Sequence, residues 1–305
     1  MGRLIRVLFS ALIFLSHTAV TGDALIPLKL EKALPVEGPK DIQPSGLTIC
    51  NNALVTVSDK HDHTIFQVKL MDDRAVLAPY VEFKLSEPVT ENKLDFEGIT
   101  CDDAGNFYLI SETSFRILRV SATGEDVSWV TPSLRSYGEE KGLFQVPNAY
   151  LEGLTWVGPN KFILAVERQP RGIIELDMNK VPYEVSVYSY DTTQLKLPKG
   201  RNPDFSDLFF EDNRLYALER GAYAICQLVH NGQEFEEKNC WSYEALETSD
   251  ALWYLDMAFG RAEGLCMDKD HVFIILDNNG DARALDPNDR RPLLLIMERP
   301  TAKAG

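Results

Sequence analysis

The sequence predicts an all-β protein, a β-propeller of five repeats with four strands in each blade. The first observation is a repeated phrase, written DFEGIT at 95–100, YLEGLT at 150–155 and RAEGLC at 261–266. Two further copies, QPSGLT at 43–48 and PDFSDL at 203–208, place a serine where the glutamate stands. Successive copies are 52 to 57 residues apart, a period that suits a four-stranded blade with long loops.

The second observation is an apolar β-type run that follows every phrase and ends in a carboxylate. The runs VTVSD, YLISE, ILAVE, LYALE and FIILD end at Asp59, Glu112, Glu167, Glu219 and Asp277, 13 to 15 residues after the phrase. Within the second repeat, GITCD, NFYLISE, RILRVSA and DVSWVTP form four successive strand patterns, separated by Gly, Asn and Asp.

A further strand pattern, LIPLKLEK at residues 25–32, precedes the first repeat. We expect it to add to the last blade and close the ring, because this would cover an otherwise open sheet edge. The alternative is that it belongs to a sixth blade.

The N-terminus has the features of a secretory signal peptide. Arg3 and Arg6 precede an apolar run from Val7 to Leu15, and small residues follow. The run is too short to span a bilayer. We therefore expect residues 1–22 to be a signal peptide and 23–305 a single propeller domain, periplasmic or secreted; an uncleaved N-terminal anchor is the alternative.

The chain is strongly acidic. Its formal net charge is −15, and removal of Arg3 and Arg6 with the leader makes it −17. Such a charge argues against nucleic acid or an anionic membrane as a partner and is compatible with divalent cations.

Five cysteines remain after the leader, and an exported protein can form disulfides. Cys226 and Cys240 flank a hairpin-like stretch and are the best candidates for a pair. Cys50, Cys101 and Cys266 lie on predicted inner strands, where we expect buried free thiols.

The repeats predict an acidic mouth of the propeller channel. In a propeller the first strand of each blade lies nearest the axis and the second runs antiparallel beside it, so the start of one and the end of the other share a face. The carboxylates predicted to gather there are Asp59, Glu97, Glu112, Glu152, Glu167, Glu219, Glu263 and Asp277.

So many like charges raise one another's pKa values unless they are compensated. Arginines (Arg168, Arg220 and Arg116) can pair with them, backbone amides can donate to them, or a divalent cation can bind. Calcium is the natural cation for an oxygen-only site in an exported protein. The alternative is that the carboxylates only fasten neighbouring blades.

Two long segments resemble a known group of proteins. PSGLTICNNALVTVSDKHDHTIFQVKL and DFEGITCDDAGNFYLISETSFRILRV are similar to the exported propellers of the esterase-like phytase, or phytase-like, group and to the related SdiA-regulated proteins. These groups share an S-G-L phrase, a D-x-E-G-I phrase and an acidic residue followed by Arg, as in AVER and ALER here. The resemblance covers about residues 41–297 and implies a bacterial exported propeller with calcium at the channel.

No G-x-S-x-G, H-E-x-x-H, P-loop or C-x-x-C motif is present. His61 and His63 follow Asp59 at alternate positions and offer metal ligands or a general base, unless they form only a polar turn.

We therefore predict a calcium-dependent phosphoester or ester hydrolase. Glu97 or Glu152 would activate water, and Arg116, Arg168 and Arg220 would hold a phosphorylated or other small ligand. The alternative is a non-catalytic propeller that binds a ligand or a protein partner and whose carboxylates are structural.

Overall fold

The computed structural model describes residues 25–85, 93–255 and 261–300. The predicted signal peptide lies outside the described residues. Among the helices that are described, none is long and apolar enough to cross a membrane.

The chain is built almost entirely from short β-strands. In chain order they are β1 (Ile26–Pro27), β2 (Leu30–Glu37), β3 (Pro44–Cys50), β4 (Ala53–Ser58), β5 (Thr64–Leu70), β6 (Ala75–Glu82), β7 (Phe96–Cys101), β8 (Phe107–Ser111), β9 (Arg116–Val120), β10 (Val127–Trp129), β11 (Leu151–Gly158), β12 (Lys161–Val166), β13 (Arg171–Asp177), β14 (Glu184–Tyr190), β15 (Phe205–Glu211), β16 (Arg214–Glu219), β17 (Ala224–His230), β18 (Phe235–Ser242), β19 (Ala262–Met267), β20 (His271–Leu276) and β21 (Leu293–Glu298). Short helices α1 (Arg135–Glu139) and α2 (Glu244–Glu247) and a 3₁₀ turn (Arg220–Ala222) lie in connections.

Consecutive strands pair antiparallel, as in a propeller. The strand orders β3–β4–β5–β6, β7–β8–β9–β10, β11–β12–β13–β14 and β15–β16–β17–β18 each follow one repeat. The first strands of the repeats contact their neighbours around the axis, and β19 also contacts β3. The all-β, propeller-type prediction is confirmed, while the number of blades remains a prediction.

Strand β2 pairs with strands from both the last and the first repeat. Its residues pair antiparallel with β21, from Leu30 opposite Met297 to Pro35 opposite Leu293. Its last two residues pair parallel with β6. From Leu30 onward the chain before the first repeat therefore adds to the sheet of β19–β21, as the closure interpretation predicts, whereas Ile26 and Pro27 of β1 pair parallel with β18 of the fourth repeat.

Apolar side chains fill the space between neighbouring sheets. One buried cluster joins β16–β18 to β19–β21 through residues such as Trp241 and Leu265. Another joins β4–β5 to β7–β9 through Val55, Phe96 and Phe107. This packing fixes the sheets around the axis and so positions the strand ends that carry the polar residues.

Each repeated phrase contains a β-bulge. The pairing register shifts within the phrase in β3, β7, β11, β15 and β19, as between Phe96 and Gly98 in β7 and between Ala262 and Gly264 in β19. A bulge leaves one residue outside the ladder and redirects its side chain. That residue is Glu97 in β7 and Glu263 in β19, so the irregularity turns these glutamates away from the sheet.

The residue after the phrase glutamate lies where the first strands meet. A Cβ added at Gly98 would lie 2.6 Å from the carbonyl oxygen of Glu152, and one at Gly264 would lie 2.6 Å from that of Ser45. Only glycine permits such close backbone approach. The repeated glycine is therefore required by the packing of one repeat on the next.

Asp207 replaces this glycine in the PDFSDL phrase and is completely buried. Its carboxylate accepts hydrogen bonds from the backbone N–H groups of Leu47 (3.3 Å), Leu208 (2.8 Å) and Leu265 (2.8 Å). Burial raises the pKa of Asp207 well above its usual range. One side chain thus ties β3, β15 and β19 together at the axis.

The cysteine pattern is partly as predicted. Cys226 and Cys240 form a disulfide between β17 and β18, and Cys266 is a buried free thiol, as expected. The expectation of free thiols at Cys50 and Cys101 was wrong, because the two form a disulfide with a Cα–Cα distance of 6.0 Å. They pair because the ends of β3 and β7 lie side by side, a proximity that separate strand assignments do not reveal.

We expect two disulfides and one hidden thiol in the purified protein. Non-reducing peptide mapping should find Cys50 linked to Cys101 and Cys226 linked to Cys240. Thiol titration should detect one group per chain in denaturant and none in the native state, because Cys266 is buried. Three titratable thiols in denaturant would contradict the Cys50–Cys101 bond.

Replacing Asp207 with alanine should destabilise the fold strongly. The change leaves buried N–H groups of β3 and β19 without an acceptor, a loss that we expect to lower the free energy of unfolding by about 2–4 kcal/mol. Denaturant unfolding measures this. D72A, at an exposed turn, is the matched control and should stay within about 0.5 kcal/mol of wild type; an equally small effect of D207A would show that the axis does not depend on this carboxylate.

Candidate metal centre

A polar cavity of about 440 Å³ opens where the phrases and the ends of the second strands converge. Its charged lining comprises the carboxylates of Asp59, Asp95, Glu97, Glu112, Glu152, Glu167, Glu263 and Asp277 and the basic side chains of Lys93, Arg168, Arg220 and Arg261. Eight acidic groups therefore face four basic ones. The structure brings together seven of the eight carboxylates that the repeats predict to meet.

The local backbone explains why these side chains converge. Asp95 and Arg261 directly precede β7 and β19, and they line the cavity together with the bulged residues Glu97 and Glu263. The antiparallel partner of each first strand ends beside it and delivers residues such as Glu112. Four of the repeats thus supply lining residues from both ends of the inner hairpin, and the fourth repeat supplies Arg220 alone.

One side of the cavity is neutralised by arginine. Arg220 donates from Nη1 to Glu263 (2.5 and 2.6 Å), from Nη2 to Glu167 Oε1 (2.6 Å) and from Nε to Asp204 (3.1 Å). Arg168 also forms an ion pair with Glu167. The contacts of Arg220 with Glu263 and Glu167 cross from one repeat to the next, so the fastener interpretation describes this side of the cavity well.

Two carboxylates on the other side also hold a neighbouring repeat. Ser45 Oγ donates to Glu97 Oε2 at 2.7 Å, and the backbone N–H of Tyr150 donates to Glu112 Oε1 at 3.1 Å. Each contact occupies one carboxylate oxygen.

Glu112, Glu152 and Glu167 form a compact cluster. One carboxylate oxygen from each lies within 4.8 Å of those of the other two, and all three residues are buried. Oxygens on opposite sides of a calcium ion are at most about 5 Å apart, given Ca–O distances of about 2.3–2.6 Å. The spacing therefore fits a shared calcium ion.

The hydrogen bonds and ion pairs of these three residues also favour a bound metal ion. Glu152 is only 7% exposed, yet its carboxylate makes no hydrogen bond or ion pair with a described residue. Glu167 Oε2 is also buried without a hydrogen-bond partner. Burying an unpaired carboxylate is costly, whereas a divalent cation would satisfy both oxygens.

A second cluster of Asp59, Asp95 and Glu97 has the same 4.8 Å spacing. It differs from the first because lysine reaches it. Lys93 Nζ contacts Asp95 and lies 3.6 Å from Asp59, and Lys60 also pairs with Asp59.

Burial and neighbouring negative charges raise the pKa values of the carboxyl groups in the cavity. Burial, and after it the charges of Asp95 and Asp59, raises the pKa of Glu97 well above its usual range; burial and the charge of Glu97 do the same to Glu152. Burial, reinforced by Asp95, raises the pKa of Glu112 to about 7. For Glu263 and Asp277 burial is again the largest cause and raises the pKa to about 8 and about 7.

Glu219, predicted at the mouth, does not line the cavity. It is completely buried, forms an ion pair with Arg171 and accepts the backbone N–H of Asp204 at 2.6 Å. The buried guanidinium of Arg171 attracts this carboxylate into the space between the sheets, and the residue after it, Arg220, reaches the cavity instead.

Arg116 and His61 were also predicted near the site, but neither lines the cavity. Arg116 is on the third strand of its repeat, farther from the axis, where it donates to the Thr131 carbonyl (3.0 Å) and stacks on Trp129. The turn after Asp59 carries His61 toward its own sheet, where its ring meets Phe66 edge-on.

Sequence reasoning missed Lys93, Asp95 and Arg261 as cavity residues. Asp95 and Arg261 were detectable, because each is a charged residue two positions before a phrase glutamate, at the entry to the first strand. Lys93 lies outside the repeated phrase and carries no such signal.

Comparisons with known proteins agree with this picture. The profile of the Phytase-like family, described as "Esterase-like activity of phytase", matches residues 42–280. No curated protein matches at a significant level.

Solved structures resemble the fold at low sequence identity. Glutaminyl cyclase from Myxococcus xanthus has a TM-score of 0.53 and 12% identity, covering 90% of this chain and 100% of that one. Virginiamycin B lyase from Staphylococcus aureus has a TM-score of 0.42 and 16% identity, covering 90% and 74%. Aldose sugar dehydrogenase from Streptomyces coelicolor has a TM-score of 0.46 and 12% identity, covering 88% and 98%. At 12% identity the likeness to the cyclase concerns the fold alone.

The metal-free protein should lose stability as the pH rises from about 5 to about 8. Folding raises the pKa values of Glu112, Glu263 and Asp277, so the folded state binds more protons than the unfolded state in this window. The free energy of unfolding therefore falls as the pH rises through this window. Thermal unfolding in chelator measures the slope.

E112Q keeps the acceptor for Tyr150 and removes one titrating group, so it should flatten this slope. E139Q, on the exposed helix α1, is the matched control and should leave it unchanged. Stability that increases with pH across the window would contradict the assigned pKa directions.

Proposed function

Because the chain belongs to the Phytase-like family, we propose that it is an exported five-bladed propeller that hydrolyses phosphoesters or esters with a calcium ion bound in the acidic cavity. The cavity concentrates the polar chemistry of the chain at the mouth of the propeller. The family description supports hydrolysis of an ester bond, and the carboxylate lining supports the cation.

The observation that carries the proposal is the buried, unpartnered carboxylate of Glu152 beside Glu112 and Glu167. Eight carboxylates face only four basic groups in the cavity, and Arg220 is already engaged by two of them, Glu167 and Glu263, and by Asp204 outside the lining. A divalent cation compensates this excess, and calcium prefers an all-oxygen ligand set.

The bound ion would neutralise the substrate and polarise the oxygen of the bond to be broken. Glu97 lines the same cavity and would accept a proton from the attacking water, because burial raises its pKa and so increases the basicity of the carboxylate. Ser45 Oγ fixes the carboxylate of Glu97 through Oε2. Arg168 adds positive charge at the cavity wall, whereas Arg220 holds the wall together.

The second candidate is a non-catalytic propeller that binds a ligand or a protein partner at this mouth. The inter-repeat hydrogen bonds of Arg220, Glu97 and Glu112 favour it, because they give several carboxylates a structural role. The two candidates differ in whether metal-dependent turnover occurs.

Turnover should require calcium and Glu152. We expect wild-type protein to hydrolyse at least one of p-nitrophenyl phosphate, p-nitrophenyl acetate and phytate with calcium, and to lose this activity in chelator. E152Q preserves the shape of the side chain but removes its charge, and should reduce kcat/KM by about 100-fold or more.

The matched control is E139Q, which changes an exposed glutamate and should retain the wild-type rate. Turnover that is unaffected by chelator would contradict the metal-dependent mechanism. Calcium binding without turnover on any of these esters would favour the binding module.

A further inference from the structure

Lys93 places an ammonium group inside the acidic cavity. Its Nζ contacts Asp95 and lies 3.6 Å from Asp59, so it serves two of the three members of the Asp59–Asp95–Glu97 cluster. A divalent cation held by this cluster would compete with the ammonium for the carboxylates of Asp59 and Asp95.

The backbone around Lys93 is held by hydrogen bonds. Thr113 Oγ1 donates to the carbonyl oxygen of Lys93 at 2.9 Å. The carboxylate of Asp62 accepts from the backbone N–H groups of Leu94 (2.9 Å) and Asp95 (3.2 Å). The ammonium therefore extends from an anchored point of the chain toward a fixed set of acceptors.

In the other cluster, the ion pairs among the described residues reach only Glu167. Among the described residues, the Glu152 carboxylate makes no hydrogen bond or ion pair, and Glu167 Oε2 is buried without a hydrogen-bond partner, although Glu167 Oε1 meets Arg168 and Arg220. Glu112 gives one oxygen to a backbone N–H group. Each of the three thus retains at least one oxygen that makes no hydrogen bond.

We propose that the cavity takes one divalent cation, at Glu112, Glu152 and Glu167, and that the ammonium of Lys93 is a second, built-in cation at Asp59, Asp95 and Glu97. This assignment rests on the proposed metal-dependent function. Repulsion between the ammonium and an incoming ion keeps the second cluster free of metal, since like charges in a partly buried site are weakly screened.

Removing Lys93 should open a second metal site. The second cluster has the spacing of a shared ion, and Asp59 Oδ1 is buried with no hydrogen-bond partner, while Lys60 engages the other oxygen. Three carboxylates without their ammonium would gain from a divalent ion. We expect its dissociation constant to lie at about 10⁻⁴–10⁻³ M, the range of extracellular calcium modules.

Calcium titration calorimetry and native mass spectrometry of the full chain test the assignment. Wild-type protein should bind one calcium ion, K93M two, and E152Q none. The double variant K93M/E152Q should bind one. K93R retains a positive charge and should bind one, as should K161M, which removes a lysine from a surface pair with Asp177. Circular dichroism and thermal unfolding confirm that each variant is folded.

The outcomes distinguish the proposed role of Lys93 from the proposed metal-dependent function. One ion in both wild type and K93M would overturn the role of Lys93 and leave the proposed function intact. Two ions in the wild type would also overturn it. A folded wild-type protein that binds no calcium would refute the proposed function and this inference with it.

Discussion

Close backbone contact at the axis is the constraint on which the rest of the structure depends. A Cβ at Gly98 or Gly264 would collide with the carbonyl oxygen of a neighbouring repeat, so the first strands meet through glycine. The bulge beside each glycine then turns the preceding glutamate out of the ladder. The acidic cavity is thus a geometric consequence of packing the repeats.

The chain compensates the resulting charge in two ways. On one side Arg220 forms hydrogen bonds to Glu263, Glu167 and Asp204 and links repeats. On the other side the carboxylates outnumber the cations, and Glu152 remains buried without a partner. The ion pairs of Arg220 stabilise the fold. The excess of carboxylates leaves negative charge that a bound cation would compensate. Fastening and metal binding therefore describe one cavity and share Glu167, whose Oε1 meets Arg168 and Arg220 and whose Oε2 has no hydrogen-bond partner among the described residues.

The repeats predicted the fold and most of the acidic lining, because strand alternation and hairpin geometry act within a few residues. Departures arose where a distant residue decided the outcome. Arg171, 48 positions earlier, draws Glu219 away from the cavity, and Cys50 pairs with Cys101 across two repeats. Lys93 was not predicted as a cavity residue, because it lies outside the repeated phrase. Local sequence patterns determine on which face of a strand a side chain lies. Its ion-pair or disulfide partner depends on which strands become neighbours in the fold.

The most direct test of the account is the position of a metal ion in crystals grown with calcium. Anomalous diffraction should show one peak within about 2.3–2.6 Å of oxygens from Glu112, Glu152 and Glu167. The ammonium of Lys93 should remain beside Asp95. A cavity without an anomalous peak, with Glu152 hydrogen-bonded only to water, would contradict the claim that this carboxylate is a metal ligand.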